Sequence, residues 1–202
     1  MIKKLFIPAY RKTDYDINAI KLPKLPQNIA VAYSIQYKQL AFKIGQLLSK
    51  KHNITKIIQI LGCSQPIFPK NTEAIILIGS GRFHAVSLSL NTKFPIYMLE
   101  GNIFSRISKE ESEKMQKHEK AAYVNFLNSE TVGILVTTKP GQQNLKNAIQ
   151  LKKSIKNKDS YLFIANNIDV SEFENFSIQS WVNTACPRLD MNSSKIININ
   201  KL

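Results

Sequence analysis

Ala74-Ile-Ile-Leu-Ile78 is an apolar run with no polar residue to turn outward, and Val132-Gly-Ile-Leu-Val136 repeats the pattern in the second half of the chain. Successive side chains of a strand point to opposite faces, so a run of this kind is buried on both. That restricts the chain to sheets covered by helices on either side, which means mainly parallel strands joined by helical crossovers. The neighbouring segments fit. Ile29–Tyr33, Ile54–Leu61, Pro95–Leu99, Ser160–Ala165 and Ile178–Thr184 read as further strands, and Lys3–Ile7 as a short one ahead of Pro8. Tyr37–Lys50 spaces Leu40, Ala41, Ile44, Leu47 and Leu48 as a helix does. Ala85–Asn91, Lys109–Asn128 and Leu145–Ile155 read as helices, and Val170–Phe176 as a short helical connection. Asp14–Gln27 and Gln65–Lys70 each hold two prolines and read as connections; the tail from Ser193 shows alternating isoleucines and no assigned element.

The strand–helix order runs twice. The expected fold class is α/β: two similar Rossmann-like three-layer units with mainly parallel sheets facing a central cleft, one over residues 1–128 and one over 129–202. An apolar content of 44% over 202 residues suffices for buried cores. No apolar run approaches the roughly 18 residues of a membrane span. The basic start, Met1-Ile-Lys-Lys, is cut short by Pro8 and Arg11, so no leader and a cytoplasmic location are expected. Two cysteines exclude a dense disulfide framework. The net charge of +14 raises nucleic acid as a partner. Its lysines are spread over nearly every surface-type segment, with no arginine-rich arm and no basic run interleaved with aromatics, which argues against direct nucleic-acid binding. Steering towards an acidic macromolecule stays open.

In a parallel sheet ligands gather beyond the carboxyl ends of the strands. The chemically distinctive residues sit there: Cys63, Gly79–His84, Lys139–Gln143 and Cys186–Arg188. Gly79-Ser80-Gly81 could cradle an anion with backbone N–H groups, or serve only as a tight turn before a packed helix. Arg82 could grip a carboxylate bidentately. His84 is a ligand-facing group or a packing histidine; His52 and His118 read as surface residues. Cys63 and Cys186 follow strand-like runs, with Gly62 and Pro187 beside them. Each could be a small buried hydrophobe. Neither has a paired base or a Cys-x-x-Cys partner, which leaves an iron–sulfur cluster held by single cysteines from separate units as the sharper alternative.

Taken together, Leu61-Gly-Cys63, Gly79-Ser-Gly-Arg-Phe-His84, Lys139-Pro-Gly-Gln142 and Asn183-Thr-Ala-Cys-Pro-Arg188 resemble the motifs of the diphthamide synthase family, in the same order and at similar spacing. Lys4-Leu-Phe-Ile-Pro-Ala-Tyr10 and Tyr33-Ser-Ile-Gln36 also resemble segments at the start of that family's second domain. The resemblance covers essentially the whole chain. It implies an enzyme of three similar α/β domains, each giving one cysteine to a [4Fe–4S] cluster. The reaction implied moves the 3-amino-3-carboxypropyl group of S-adenosylmethionine to a histidine of translation elongation factor 2 by a radical route. On this likeness Cys63 and Cys186 are the second and third thiolates. Gly79, Ser80, Gly81, Arg82, His84, Gln142 and Arg188 are the expected cofactor-binding residues.

The likeness begins at the family's second domain. The expected partner is therefore a separate chain supplying the first domain and its cysteine, or a full-length homologue. The acidic residues that the family tends to carry after the last cysteine are reduced here to Asp190. Two other readings stand beside a split enzyme: a non-catalytic auxiliary subunit, and a small-molecule-binding module whose cysteines are merely packed.

Overall fold

The computed structural model describes residues 5–12, 20–62 and 65–202, with Asp190–Asn192 described in their backbone only. The chain divides into two compact units, Met1–Ser112 and Glu113–Leu202.

In the first unit, strands β1 (Asn28–Tyr33), β2 (Asn53–Gln59), β3 (Ala74–Ile78) and β4 (Ile96–Glu100) are parallel, and β5 (Ile103–Arg106) is antiparallel. Their order in the sheet is β2-β1-β3-β4-β5. Helix α1 (Lys38–Leu48) packs Leu40, Ala41, Ile44 and Leu48 against Ile29, Val31, Ile76 and Ile78 of one sheet face. Ile75 and Leu77 alternate to the opposite face and are equally buried. Helix α2 (Phe83–Asn91) buries Ala85, Val86 and Leu88. Such strands have nowhere to put a polar side chain, hence the unbroken apolar runs.

Three elements depart from the sequence reading. β5 is a strand because the turn at Gly101-Asn102 folds it back on β4, with Gly101 at φ +61°. β9 (Ile196–Asn198) lies in the tail and is a strand by pairing with β8. Of the segment expected as a first strand, Leu5–Ile7 is described and forms none; without a ladder partner, Leu5, Phe6 and Ile7 are left 83, 69 and 78% exposed. Arg11 instead ties this stretch to the 3₁₀ turn Ile35–Tyr37 that follows β1, donating from its backbone to Gln36 O (2.9 Å) and from Nη1 to the Tyr37 hydroxyl (2.7 Å).

Helix α3 (Lys109–Asn128) runs across the division between the units and has most of its length in the second. There, β6 (Thr131–Thr137), β7 (Asp159–Ala165), β8 (Ser180–Asn183) and β9 are all parallel, in the order β7-β6-β8-β9. One face packs Val132, Ile134, Val136 and Val182 against Ala122 of α3 and Ala148 of α4 (Leu145–Ser154). The other is covered by a 3₁₀ turn (Val170–Asn175), where Phe163, Phe173 and Phe176 ring Trp181. Trp181 can lie across β6 because residue 133 is glycine: a Cβ there would collide with indole atom Cε3. Among the described residues no helix is long and apolar enough to cross a membrane.

Candidate functional site

Both sheets reverse their strand order at one gap, between β1 and β3 in the first unit and between β6 and β8 in the second. At such a switch point the connections leave in opposite directions and open a crevice beyond the strand ends.

At the β6/β8 gap the loop after β6 turns on Thr137, which is 2% exposed. Its hydroxyl donates to Asn166 O (2.8 Å) and accepts from Lys139 N (3.2 Å). Gly141, at φ +79°, and a Gln142 N to Lys139 O bond (3.1 Å) complete the reversal. After β8, Thr184 is held to Leu135 O through its hydroxyl at 2.7 Å. The chain then delivers Cys186, and Pro187 starts a 3₁₀ turn (Pro187–Asn192). These two loops and Asn166–Ile168 enclose a cleft of about 290 Å³ lined by Lys139, Gln142, Cys186 and Arg188. The half-buried Cys186 is a free thiol. Lys139 and Arg188 are exposed cations. A thiol beside two cations and a carboxamide suits a thiolate-held metal group together with an anionic ligand.

At the β1/β3 gap, Gly79 lies where a Cβ would stand 3.7 Å from Ser34 Oγ. Gly81 takes φ +74°, and its N–H donates to a Glu100 oxygen at 3.0 Å. One backbone donor of the expected anion cradle thus already faces a carboxylate of the chain. Arg82 is clamped by Glu111, Nε to Oε1 and Nη2 to Oε2, both at 2.7 Å, and Nη1 reaches Ser105 Oγ at 3.3 Å. Glu111 is also the third helical residue of a capping box. It accepts from Ser108 N (2.9 Å), while Ser108 Oγ accepts from Glu111 N (3.2 Å). The hydrogen bonds to Arg82, and then to Ser108 N, hold the Glu111 carboxyl below the usual glutamate range; the Arg82 guanidinium is raised in turn. Phe83 and half-buried His84 form an edge-to-face pair at 5.3 Å between ring centroids.

Gln142, Cys186 and Arg188 thus share one cleft of the second unit, and in the first unit Gly79–Arg82 form the loop that leads into α2, with His84 in its first turn. Cys63 lies outside the described residues; Gly62, just before it, follows the edge strand β2. The residues that shape these loops, Thr137, Asn166, Glu100 and Glu111, were not marked by the sequence reading. For Glu111 a signal existed in Ser108-Lys-Glu-Glu111, the Ser-x-x-Glu spacing of a capping box. Among the described residues no group of three or more His, Cys, Asp or Glu stands ready to hold a metal.

The family described as "Putative diphthamide synthesis protein" matches residues 2–196. A 2-(3-amino-3-carboxypropyl)histidine synthase of Pyrococcus horikoshii is 24% identical over 209 residues, covering 94% of this chain and 60% of that protein. Subunit 1 of the mouse synthase is 24% identical over 93% of this chain and 46% of its own length. The chain therefore spans about half to three fifths of these relatives. The crystal structure of Dph2 from Pyrococcus horikoshii superposes with a TM-score of 0.75 at 24% identity, covering 88% of this chain and 56% of that one. A crystal structure of the same protein with a 4Fe-4S cluster gives 0.74.

Proposed function

Since the chain belongs to the diphthamide synthesis family, we propose that it serves the first step of diphthamide formation. In that step the 3-amino-3-carboxypropyl group of S-adenosylmethionine passes to a histidine of translation elongation factor 2. The observation that carries the proposal is the free, half-buried thiol of Cys186 at the β6/β8 switch point, lining a cleft with Lys139 and Arg188. An iron–sulfur cluster needs such a thiol: reachable, on a restrained loop, and beside cations that favour the thiolate.

In this reading Cys186 and Cys63 hold a [4Fe–4S] cluster. When bound, the cluster supplies the electron that breaks a sulfonium carbon–sulfur bond. Lys139 and Arg188 draw the carboxylate of the aminocarboxypropyl group into the cleft, and Gln142 offers an amide to the same ligand. In the first unit Gly79 and Ser80 of the loop after β3, and His84 in the first turn of α2, line the ligand. Arg82 holds that loop in place through Glu111, and Gly81 keeps the left-handed turn. On the family resemblance three cysteines, one from each domain, hold the cluster, and this chain has two. The third would come from a separate chain that supplies the first domain or from a full-length homologue.

The test is anaerobic reconstitution with iron and sulfide, with and without a full-length homologue, followed by absorbance and spin resonance. A cluster spectrum that disappears in Cys186→Ala and in Cys63→Ala supports the reading. Iron retention indifferent to both substitutions overturns it. A second reading is a non-catalytic auxiliary subunit of such a synthase. That reading predicts tight co-purification with the homologue and unchanged cluster content when Cys186 is replaced.

A further inference from the structure

Asn183 and Asn198 are the last residues of β8 and β9, directly paired across the ladder and 1% and 6% exposed. Two buried carboxamides side by side need partners, and theirs lie on the loop that bears Cys186. Asn183 Oδ1 accepts from Ala185 N at 2.9 Å. Asn183 Nδ2 donates to Cys186 O at 2.8 Å and to Asn198 Oδ1 at 2.6 Å. Asn198 Nδ2 donates to Pro187 O at 3.1 Å. A backbone N–H can only donate and a carbonyl can only accept, so these partners fix the orientation of both amides. Pro187 has no N–H to give to a ladder; beside the backbone bond from Leu189 N to Cys186 O at 3.2 Å, side chains hold each of Ala185, Cys186 and Pro187.

We propose that Asn183 and Asn198 form an amide clamp that positions Cys186, holding its main chain in the ligand-bearing conformation before any metal group arrives. Neither residue lines the cleft, so both act through the loop. The geometry requires asparagine. Position 183 must supply two donors and one acceptor, and position 198 one of each, which neither aspartate nor leucine can do. A thiolate ligand on a loop ordered in advance leaves less ordering to be done when the ligand binds. The value of the clamp to the protein rests on Cys186 being a cluster ligand; its existence does not.

The experiment follows thiol alkylation by iodoacetamide in metal-free protein at one pH. In a Cys63→Ala background Cys186 is the only thiol. Asn183→Asp keeps the acceptor and loses both donors, and the alkylation rate of Cys186 is expected to rise about tenfold, equivalent to about 1.4 kcal/mol of loop restraint. Asn198→Asp keeps its acceptor and loses one donor, for a rise of about threefold. Cys63, followed in the reciprocal Cys186→Ala background, is expected to keep its rate in both variants. The proposal is overturned if the Cys186 rate stays within about twofold or falls, or if Cys63 accelerates equally, which is general loosening. Should Asn183→Asp not fold, Asn198→Asp decides alone by the same criteria. Iron retention by the unsubstituted chain is scored separately. Its failure removes the cluster reading and leaves the clamp standing, whereas unchanged alkylation removes the clamp and leaves the cluster reading standing.

Discussion

At the β1/β3 gap the loop beyond the strands is tied down by the chain's own carboxylates: Glu100 on the Gly81 N–H, and Glu111 in a two-pronged grip on Arg82. At the β6/β8 gap the polar work is done by neutral side chains turned back on the backbone, Thr137 on Asn166 and Asn183 on Cys186. The charged residues there, Lys139 and Arg188, stay exposed around a cleft of about 290 Å³. Strand order is the same at both places, 2-1-3-4 within each sheet, so topology does not separate them. What separates them is the chemistry of the ties, carboxylates at the first loop and neutral side chains at the second. The first loop's ties carry charge and respond to pH; those of the second are neutral.

The largest effect is expected in the core of the second unit, whose sheet carries the Cys186 loop. Trp181 packs there against three phenylalanines, and Trp181→Ala should destabilise the protein by about 3–5 kcal/mol in thermal or denaturant unfolding. A loss below about 1 kcal/mol would mean that this sheet is loosely packed and that the second loop lacks a rigid support.

Glu111→Gln should cost about 1–2 kcal/mol, because it removes a capping-box carboxylate and the Arg82 grip together. The pair is 44% and 35% exposed at its side chains, and solvent screening keeps the figure modest. Its pH signature is specific. A carboxyl depressed in the folded state stabilises above the ordinary glutamate range, and that contribution is lost as pH falls through the depressed value. Unfolding curves taken from neutral to acid should therefore converge for wild type and Glu111→Gln. A gap that persists at low pH would assign the loss to packing.

Gly81→Ala meets no atom within 4 Å, so its penalty is backbone strain at φ +74° alone, about 1–2 kcal/mol. An unchanged midpoint would show that the loop relaxes out of this conformation.

The smallest effect is expected at the open cleft itself. Lys139→Gln should shift stability by less than about 0.5 kcal/mol, as exposed substitutions do. A loss of about 1 kcal/mol or more would place Lys139 among the structural residues, as Arg82 is, and erase the contrast.

Much of the architecture was legible in the chain. Ala74–Ile78 has the bounds of β3 and Lys109–Asn128 those of α3. Each is marked locally, the first by an apolar run with no outward residue and the second by a capping box followed by a long charged helical stretch. β5 and β9 were missed because four- and three-residue strands carry no period of their own; each exists through a neighbour, β4 or β8. Leu5–Ile7, the described part of the strand expected over Lys3–Ile7, was over-read for the converse reason, a strand-like composition with no described ladder to join. At the candidate site the chemical types were visible, namely thiol, guanidinium and the Gly-Ser-Gly turn. Their partners were not. Glu111 lies 29 positions from Arg82 and Asn198 lies 15 from Asn183, and nothing in a linear order announces either pairing.

The sequence alone determined that this chain makes mainly parallel sheets with central strands buried on both faces, and that its two cysteines follow strand-like runs. Both are consequences of side-chain polarity and short-range periodicity, which are properties of neighbouring residues. Only the tertiary structure decided that Gly79–His84 would be secured by internal carboxylates while Cys186 would line an open cleft on a loop gripped by two buried amides. Those outcomes depend on which groups distant in sequence arrive within hydrogen-bonding distance, and strand pairing across each sheet sets that.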